Sequence, residues 1–168
     1  MFEPTGMHKY SDIDELINFT YKARQSIINN QEIMSLLADI PNIDLDSEDA
    51  EDIVSRVKDH DYIDETFLTA NTYIIIESEI LNLDTEHMKS MALYVQIVCS
   101  KNHMDISPKL FPGVKGNRRD NIARLVNNIL SNDLGYGVGG LKLTSATIAS
   151  VPAGYTSRLL TYKVPSFA

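Results

Sequence analysis

The chain has 168 residues, of which 43% are hydrophobic, so it is long and apolar enough to bury the core of one domain. No apolar run approaches the roughly 20 residues that a membrane span needs, and the first residues lack the pattern of a signal peptide, so we expect synthesis in the cytoplasm. The single cysteine, Cys99, excludes an internal disulfide framework, and its apolar surroundings predict a buried, inert thiol.

Charge is distributed unevenly along the chain, whose net charge is −8. Residues 1–68 carry sixteen acidic and five basic side chains, whereas residues 69–168 carry seven acidic and ten basic ones. An acidic half argues against nucleic-acid binding by the whole surface, because contact with phosphate needs clustered cations. Two interpretations remain: a solvated acidic helix face, or a surface that faces DNA without gripping it.

The N-terminal part predicts an arm followed by helices. Residues 1–10 have no periodicity and are interpreted as an arm, while residues 11–168 are predicted to form one α+β domain that is helical up to residue 68. Ser11 is typical of a helix N-cap. The apolar positions that follow recur close to the 3.6-residue period of a helix: Ile13, Leu16, Ile17, Tyr21, Ala23 and Ile27. A short second helix is predicted over Gln31–Ala38, ended by the proline three residues later.

A cluster of carboxylates lies within this helical part. The spacing Asp44-x-Asp46-x-Glu48 is similar to the start of a calcium-binding loop, but the glycine and the glutamate that such a loop needs at its sixth and twelfth positions are absent. The segment instead predicts a helix start, capped by Asp46 or Ser47, with apolar side chains up to Val57 pointing inward. The candidates for a DNA-facing acidic surface are Asp44, Asp46, Glu48, Asp49, Glu51 and Asp52.

The stretch Thr72–Met104 predicts a β-hairpin around which the domain is organised. Its first run, Tyr73–Ile76, is aromatic and β-branched, and the residues after it alternate between polar and apolar. The return strand is predicted over Leu93–Cys99, with a solvated connection at Asn82–Lys89. No other part of the chain has two runs this apolar and this long.

The loop after this hairpin is the basic part of the chain. Residues 105–117 contain two prolines and two glycines and therefore predict a loop. A solvated loop is the simplest interpretation, and contact with DNA phosphate or with an acidic neighbouring subunit is the functional one. The cations proposed for that contact are Lys109, Lys115, Arg118, Arg119 and Arg124.

The remainder of the chain predicts a helix and a second hairpin. Asn117–Asn132 carries one apolar stripe and predicts a helix that packs on the sheet. The glycines of 135–140 follow a helix and precede a strand, the reverse of a phosphate-binding loop, and predict a flexible connection. Leu141–Val164 predicts a hairpin with its turn at Val151–Gly154. The predicted fold is therefore α+β: a four-stranded mixed sheet from two hairpins, a packed helix between them, and N-terminal helices.

Residues that carry catalysis or bind metal in other proteins are scattered here. The four histidines, of which His60 lies between two aspartates and is expected at the surface, do not have the spacing of a zinc site. A nuclease-type site needs two carboxylates and usually a lysine near one or two metal ions, and the candidates around the central hairpin, Glu77, Glu79 and Lys89, are poorly spaced for it. We therefore predict no catalytic residue, metal ligand or cofactor, and favour a binding or structural protein over an enzyme.

The order of elements resembles that of the tail-terminator, or tail-completion, proteins of long-tailed bacteriophages and of their neck-protein relatives. The resemblance covers about residues 47–168: the paired runs TYIIIESEILN and ALYVQIVCS, the helix RRDNIARLVNNIL, and the hairpin GGLKLTSATIASVP–GYTSRLLTYKV. In that family a mixed four-stranded sheet carries a helix between its second and third strands.

The resemblance implies a structural virion protein of the phage tail or neck. Such proteins form a hexameric ring at the head-proximal end of the tail tube, stop its polymerisation and join it to head-completion or connector proteins. DNA passes through the ring without sequence-specific binding, so acidic side chains in the lumen would let it slide. The basic residues would meet an acidic neighbour, and charge reversal at Lys115, Arg118 and Arg119 is expected to impair assembly more than folding. A head-completion or stopper protein, and less so a small metal-dependent nuclease, are the alternatives.

Overall fold

The computed structural model describes residues 12–60, 71–85, 88–137 and 139–167, and both the arm predicted at residues 1–10 and the N-cap predicted at Ser11 lie outside them. Within these ranges four α-helices and five strands follow one another along the chain. They are α1 Asp12–Ile28, α2 Gln31–Ala38, α3 Glu48–Val54, β1 Val57–Lys58, β2 Thr72–Thr85, β3 Met88–Ser100, a 3-10 turn Lys101–His103, α4 Arg118–Ser131, β4 Lys142–Thr147 and β5 Tyr155–Phe167.

The five strands form one mixed sheet in the order β1-β2-β3-β5-β4. β1 runs parallel to β2, and all other neighbours are antiparallel. The α+β class, the two hairpins and the helix between them are confirmed. The sheet has one strand more than predicted, because Val57, expected on a helix, belongs to a two-residue strand and pairs with Ile74. A strand this short has no alternating pattern that would reveal it in the sequence.

β3 lies at the centre of the sheet and joins the two hairpins. It pairs with β2 on one side, and on the other side all 13 of its residues pair with β5. The solvated connection expected at Asn82–Lys89 is wrong, because β2 continues to Thr85 and β3 begins at Met88. A hairpin extends past its apolar residues in this way because ladder hydrogen bonds join backbone groups and need no particular side chain.

The core lies between one face of the sheet and the helices. Side chains at alternate positions of β2 and β3 point toward the helices, and Ile74 and Leu93 among them are fully buried. The apolar stripe predicted for α4 packs against the same face. Burying each such side chain contributes about 1.5–3 kcal/mol. On the opposite face a smaller apolar cluster is formed by Tyr73, Ile75 and Val98.

The buried face of α1 matches its sequence pattern only in part: Ala23 and Ile27 are buried as predicted, whereas other residues of the pattern are exposed. Its buried side chains are Phe19, Ala23 and Ile27. Three residues expected in the core are instead 60%, 60% and 62% exposed, namely Ile13, Ile17 and Tyr21. Apolar residues are spread over two faces of this helix, so periodicity alone does not select the buried one.

Tyr136 ties the glycine-rich connection after α4 to α1. Its ring is fully buried and meets Phe19 edge-on, with the ring centroids 5.3 Å apart. Lys22 Nζ lies 4.6 Å from the centre of the Tyr136 ring and 3.2 Å from Asp133. The connection is therefore anchored at this point by packing, contrary to the expectation of a flexible segment.

We expect Phe19→Ala to lower the free energy of unfolding by about 3–5 kcal/mol, because it removes a buried ring and leaves a cavity beside Tyr136. The matched variant Ile17→Ala, on the exposed face of the same helix, is expected to change it by less than about 1 kcal/mol. Urea unfolding followed by circular dichroism measures both values. Equal losses in the two variants would contradict this orientation of α1.

Candidate functional site

The acidic candidates form one exposed surface around α3. All six are exposed, and together they are called the acidic surface: Asp44, Asp46, Glu48, Asp49, Glu51 and Asp52. Ser47 rather than Asp46 caps the helix, with its hydroxyl accepting a hydrogen bond from the Ala50 N–H. Within the described residues, Asp52 alone among the six makes an ion pair, with Arg56 at 3.3 Å. The other five carboxylates leave this surface strongly negative.

Arg118, a candidate for partner contact, is a buried structural residue that is only 1% exposed. Its guanidinium donates hydrogen bonds to the carbonyl oxygens of Leu36, His103 and Asp105 at 2.5, 2.8 and 3.0 Å. It also donates to the Asp39 carboxylate at 2.8 Å. The planar fork of the guanidinium thus fastens the end of α2 and the loop after β3 to the start of α4.

Arg119 is also turned inward, with 8% exposure. It donates hydrogen bonds to the Asp120 carboxylate and, at 2.6 Å, to Thr156 Oγ1. Asp120 accepts further hydrogen bonds from Arg158 Nε at 3.0 Å and from Asn117 Nδ2 at 2.9 Å. Burial by itself raises the pKa of Asp120, but these hydrogen bonds outweigh burial and hold the pKa well below its usual range.

Three of the five basic candidates, Lys109, Lys115 and Arg124, are exposed. None of the three makes an ion pair with another residue of the described ranges. The expectation that charge reversal at Lys115, Arg118 and Arg119 impairs assembly more than folding has to be corrected for the two arginines. Charge reversal at Arg118 or Arg119 would break buried hydrogen bonds and leave their acceptors without a donor, which destabilises the monomer directly.

The three residues considered for a nuclease-type site do not come together. Glu77 and Glu79 are exposed on the sheet face that points away from the helices. Lys89 lies on the helix face with 1% exposure, and its Nζ is 2.5 Å from the carboxylates of both Asp12 and Glu15. Burial by itself lowers the pKa of Lys89, but the two carboxylates outweigh burial and raise it. This lysine therefore fastens the first turn of α1 to β3.

A buried polar cluster lies where β2 and β3 meet the 3-10 turn. Thr72 Oγ1 is 2.8 Å from His103 Nδ1 and 3.2 Å from Cys99 Sγ. Cys99 is buried as predicted, and burial raises the pKa of its thiol. Burial, and then the nearby charge of Arg118, lowers the pKa of His103 from 6.5 to about 4. Near pH 7 the imidazole is therefore neutral and the thiol is protonated, which does not suit a cysteine nucleophile.

An open groove that the sequence does not reveal runs beside β2. It has a volume of about 740 Å³ and lies between α1, the end of β1 and Glu77–Glu79 of β2. His60 lines the groove and is exposed as predicted. Its Nδ1 atom lies 2.7 Å from Oδ1 of Asp59. Ile17 and Tyr21 of α1 give the groove an exposed apolar rim. Within the described ranges, β1 pairs with only two residues of β2, and the groove lies beside the residues of β2 that follow them.

A smaller cavity of about 250 Å³ lies between α2, α4 and the basic loop. Leu110 and Val114, which are 42% and 40% exposed, line it together with Arg124.

Among the described residues, no three His, Cys, Asp or Glu side chains are placed to hold a metal ion. A separate property concerns membranes: none of the helices in the described ranges has the length and apolar character of a membrane span.

Fold and surfaces together define a five-stranded α+β protein with exposed charged surfaces of both signs and a groove at one edge of its sheet. The YomW family model matches residues 30–164, which include α2 to α4 and most of the sheet. The chain belongs to this family, which is named after a gene product of a phage-like (SPbeta) prophage, and is a phage-associated protein. No curated protein matches the chain.

We expect Arg118→Met to lower the free energy of unfolding by about 3–5 kcal/mol, because buried carbonyl oxygens lose their donor and Asp39 loses its cation. Arg118→Lys keeps the charge but not the fork and is expected to lose less. The control Arg124→Met, exposed on the same helix, is expected to stay within about 0.5 kcal/mol of the parent. Urea unfolding of the three variants checks this, and equal stability of Arg118→Met and Arg124→Met would contradict the structural role.

We expect the stability of the protein to fall as the pH is lowered from about 6.5 to about 4, in part through His103. Because folding depresses the pKa of this histidine, the unfolded chain binds a proton in that window that the folded chain does not. The stability that is lost through His103 is fully present above pH 6.5. It is on the order of 1–2 kcal/mol in the free energy of unfolding, after allowance for the partial exposure of this side chain.

His103→Asn keeps an acceptor near the position of Nδ1 for Thr72 but cannot be protonated in this range. The free energy of unfolding of this variant, measured at pH 7, 5.5 and 4.5, is expected to fall less steeply than that of the parent. Parallel pH profiles would contradict a half-buried imidazole that stays neutral in the folded protein.

Proposed function

We propose that this protein is a structural virion protein of the tail-terminator type. It forms a ring at the head-proximal end of the tail tube, stops tube polymerisation, and joins the tail to the head while DNA passes through. The observation that carries the proposal is the combination of a phage-associated family with a sheet of two hairpins and an intervening helix, the element order that resembles tail terminators.

The chemistry of the described residues supports a role without catalysis. Lys89, the only lysine near the central glutamates in sequence, is committed to Asp12 and Glu15. Cys99 is buried with a raised pKa. The most strongly hydrogen-bonded charged groups, around Arg118 and Asp120, join parts of the fold and face its interior. These placements favour an assembly protein over a nuclease.

The two exposed charged surfaces suit a channel protein. Five carboxylates of the acidic surface lack a cationic neighbour within the described residues, so DNA phosphates passing that surface would be repelled and would not stick. The exposed cations Lys109, Lys115 and Arg124 supply the contacts to acidic neighbours, which we assign to the tail-tube and head-completion proteins. Since these cations are few and spread along a loop and a helix, they do not form the basic patch that is typical of a DNA-binding surface.

We expect the protein, alone or with the tail-tube protein of its phage, to form a closed ring of about six chains of 18.8 kDa each. Native mass spectrometry over a concentration series measures the particle. Electron microscopy of tubes grown with and without the protein shows whether the ring sits at one end and limits tube length.

Three outcomes of this experiment decide the proposal. A ring that caps the tube supports it. A ring that binds head-completion proteins but leaves tube length unchanged would replace it with a stopper or other connector of the neck. A chain that stays monomeric with tube protein and cleaves DNA with magnesium would overturn it in favour of the enzyme.

A further inference from the structure

Among the residues that the structure describes, the sheet has an open edge at each end. β4 forms one edge, and five of its six residues are exposed. At the other edge β1 pairs with β2 only at Ile74 and Ile75. In the part of the chain that the structure describes, no strand lies beside the following residues of β2 on that side. Open edges present unpaired backbone groups that can add a further strand.

We infer that neighbouring copies of this chain join edge to edge, with β4 of one copy pairing with β2 of the next beyond Ile75. The inference rests on the proposed function, because head-to-tail contacts of this kind must close into a ring or continue as a filament. Along the sheet, β3 is antiparallel to β2, β5 to β3, and β4 to β5. Copies related by rotation would therefore meet in an antiparallel ladder, with their helices on the same side of the shared sheet.

The register of the sheet places opposite charges at its two edges. Glu79 is paired with Ala92, and Ala92 with Lys163. Lys163 is in turn paired with Lys142 at the β4 edge. These residues form one row across the sheet, on the face away from the helices. If the next copy continues the row, its Glu79 lies directly beside Lys142.

Within one copy the two lysines of this row are in an unfavourable arrangement. Lys142 and Lys163 are exposed and directly opposite each other, and like charges in that position destabilise a strand pair. Neither makes an ion pair with any residue of the described ranges. The neighbour's Glu79, with Glu77 two residues away on the same face, would compensate both lysines.

On the sheet face that carries the helices, the same contact would bring apolar side chains of the two copies together. The register puts Leu143, which is 39% exposed, in the row of Ser78. Ser78 lies beneath α1 and donates a hydrogen bond to the Leu16 carbonyl at 2.9 Å. Leu143 of one copy would therefore enter the groove of the next copy, where it would lie beside the exposed side chains of Ile17 and Tyr21. Burial of these three side chains together supplies an apolar part of the contact.

Pairing of like edges is disfavoured by the same charges. Two β2 edges paired around their central residues would bring Glu77 and Glu79 of both copies together, whereas two paired β4 edges would leave Lys142 of each copy without an acidic partner. The favourable contact joins two different surfaces at opposite ends of the sheet, which is the type of contact that builds rings or filaments and not two-fold dimers.

The test is a charge exchange between Lys142 and Glu79, read out as the protein concentration at which half of the chains are in rings. Each single variant, Lys142→Glu or Glu79→Lys, puts like charges in contact and is expected to raise that concentration at least about tenfold. The double variant restores opposite charges at every contact and is expected to return to within about threefold of the parent. Controls with the same charge changes at exposed positions elsewhere are Lys101→Glu and Glu32→Lys.

The stability of the monomer shows whether Lys142 and Glu79 act in the contact between copies or in the fold of a single copy. Lys142→Glu removes the repulsion with Lys163 inside the copy, so the monomer should be at least as stable as the parent while the ring is weakened. Glu79→Lys loses the hydrogen bond from the Tyr94 hydroxyl, so its monomer is measured by the same urea unfolding.

Cross-linking tests the geometry independently. In a variant with cysteines at both positions, Lys142→Cys and Glu79→Cys, three strand spacings of about 4.8 Å hold the two sites about 14 Å apart within one copy. A bis-maleimide shorter than about 8 Å can therefore join them only between copies, and Cys99 is buried. A ladder that ends at the size of the closed ring is expected.

Weakened single variants, a restored double variant and a full cross-linked ladder support the interface. Rings that form equally well in the parent and in all variants would overturn the interface and leave the proposed function standing. A double variant that is not restored, or a ladder that stops at the dimer, would also overturn it. A parent chain that forms no ring, even with tube protein, would overturn the proposed function and this interface with it.

Discussion

Pairing of β3 on both of its sides is the constraint on which the rest of the structure depends. β2 and β5 pair with this strand, and β1 and β4 join the sheet by pairing with β2 and β5. The helices cover one face of that sheet, and its apolar rows alternate with period two. A shift of one residue in the register of β3 would turn Leu93 and Val95 away from the helices, so the core and the pairing specify each other.

Buried cations fasten the helices to this sheet. Lys89 holds the start of α1, and Arg118 joins the end of α2, the loop after β3 and the start of α4. Each is satisfied by several oxygen atoms, which is the condition under which a charge can be buried without a large penalty. Charges in this chain therefore fall into two groups: interior ones that position helices, and exposed ones that remain available to partners.

The exposed group and the sheet edges connect the fold to the proposed assembly. The centre of the sheet is closed on both sides by pairing, whereas β4 and the far part of β2 are open in the described residues. Natural proteins usually cover or charge such edges to prevent uncontrolled association. Here the lysines at one edge and the glutamates at the other would favour one head-to-tail contact over pairing of like edges, which is the selectivity that a closed ring needs.

The sequence by itself determined the class of the fold, the two hairpins, the helix α4 and the burial of Cys99, because each depends on a local pattern that persists over many residues. Tertiary structure alone decided the buried face of α1, the two-residue strand β1 and the anchoring of Tyr136, since these depend on contacts between distant segments. It also decided that Arg118 and Arg119 are buried while Lys115 and Arg124 are exposed. A linear pattern shows that a residue is charged, but only the packing around it shows whether its partners are already inside the fold.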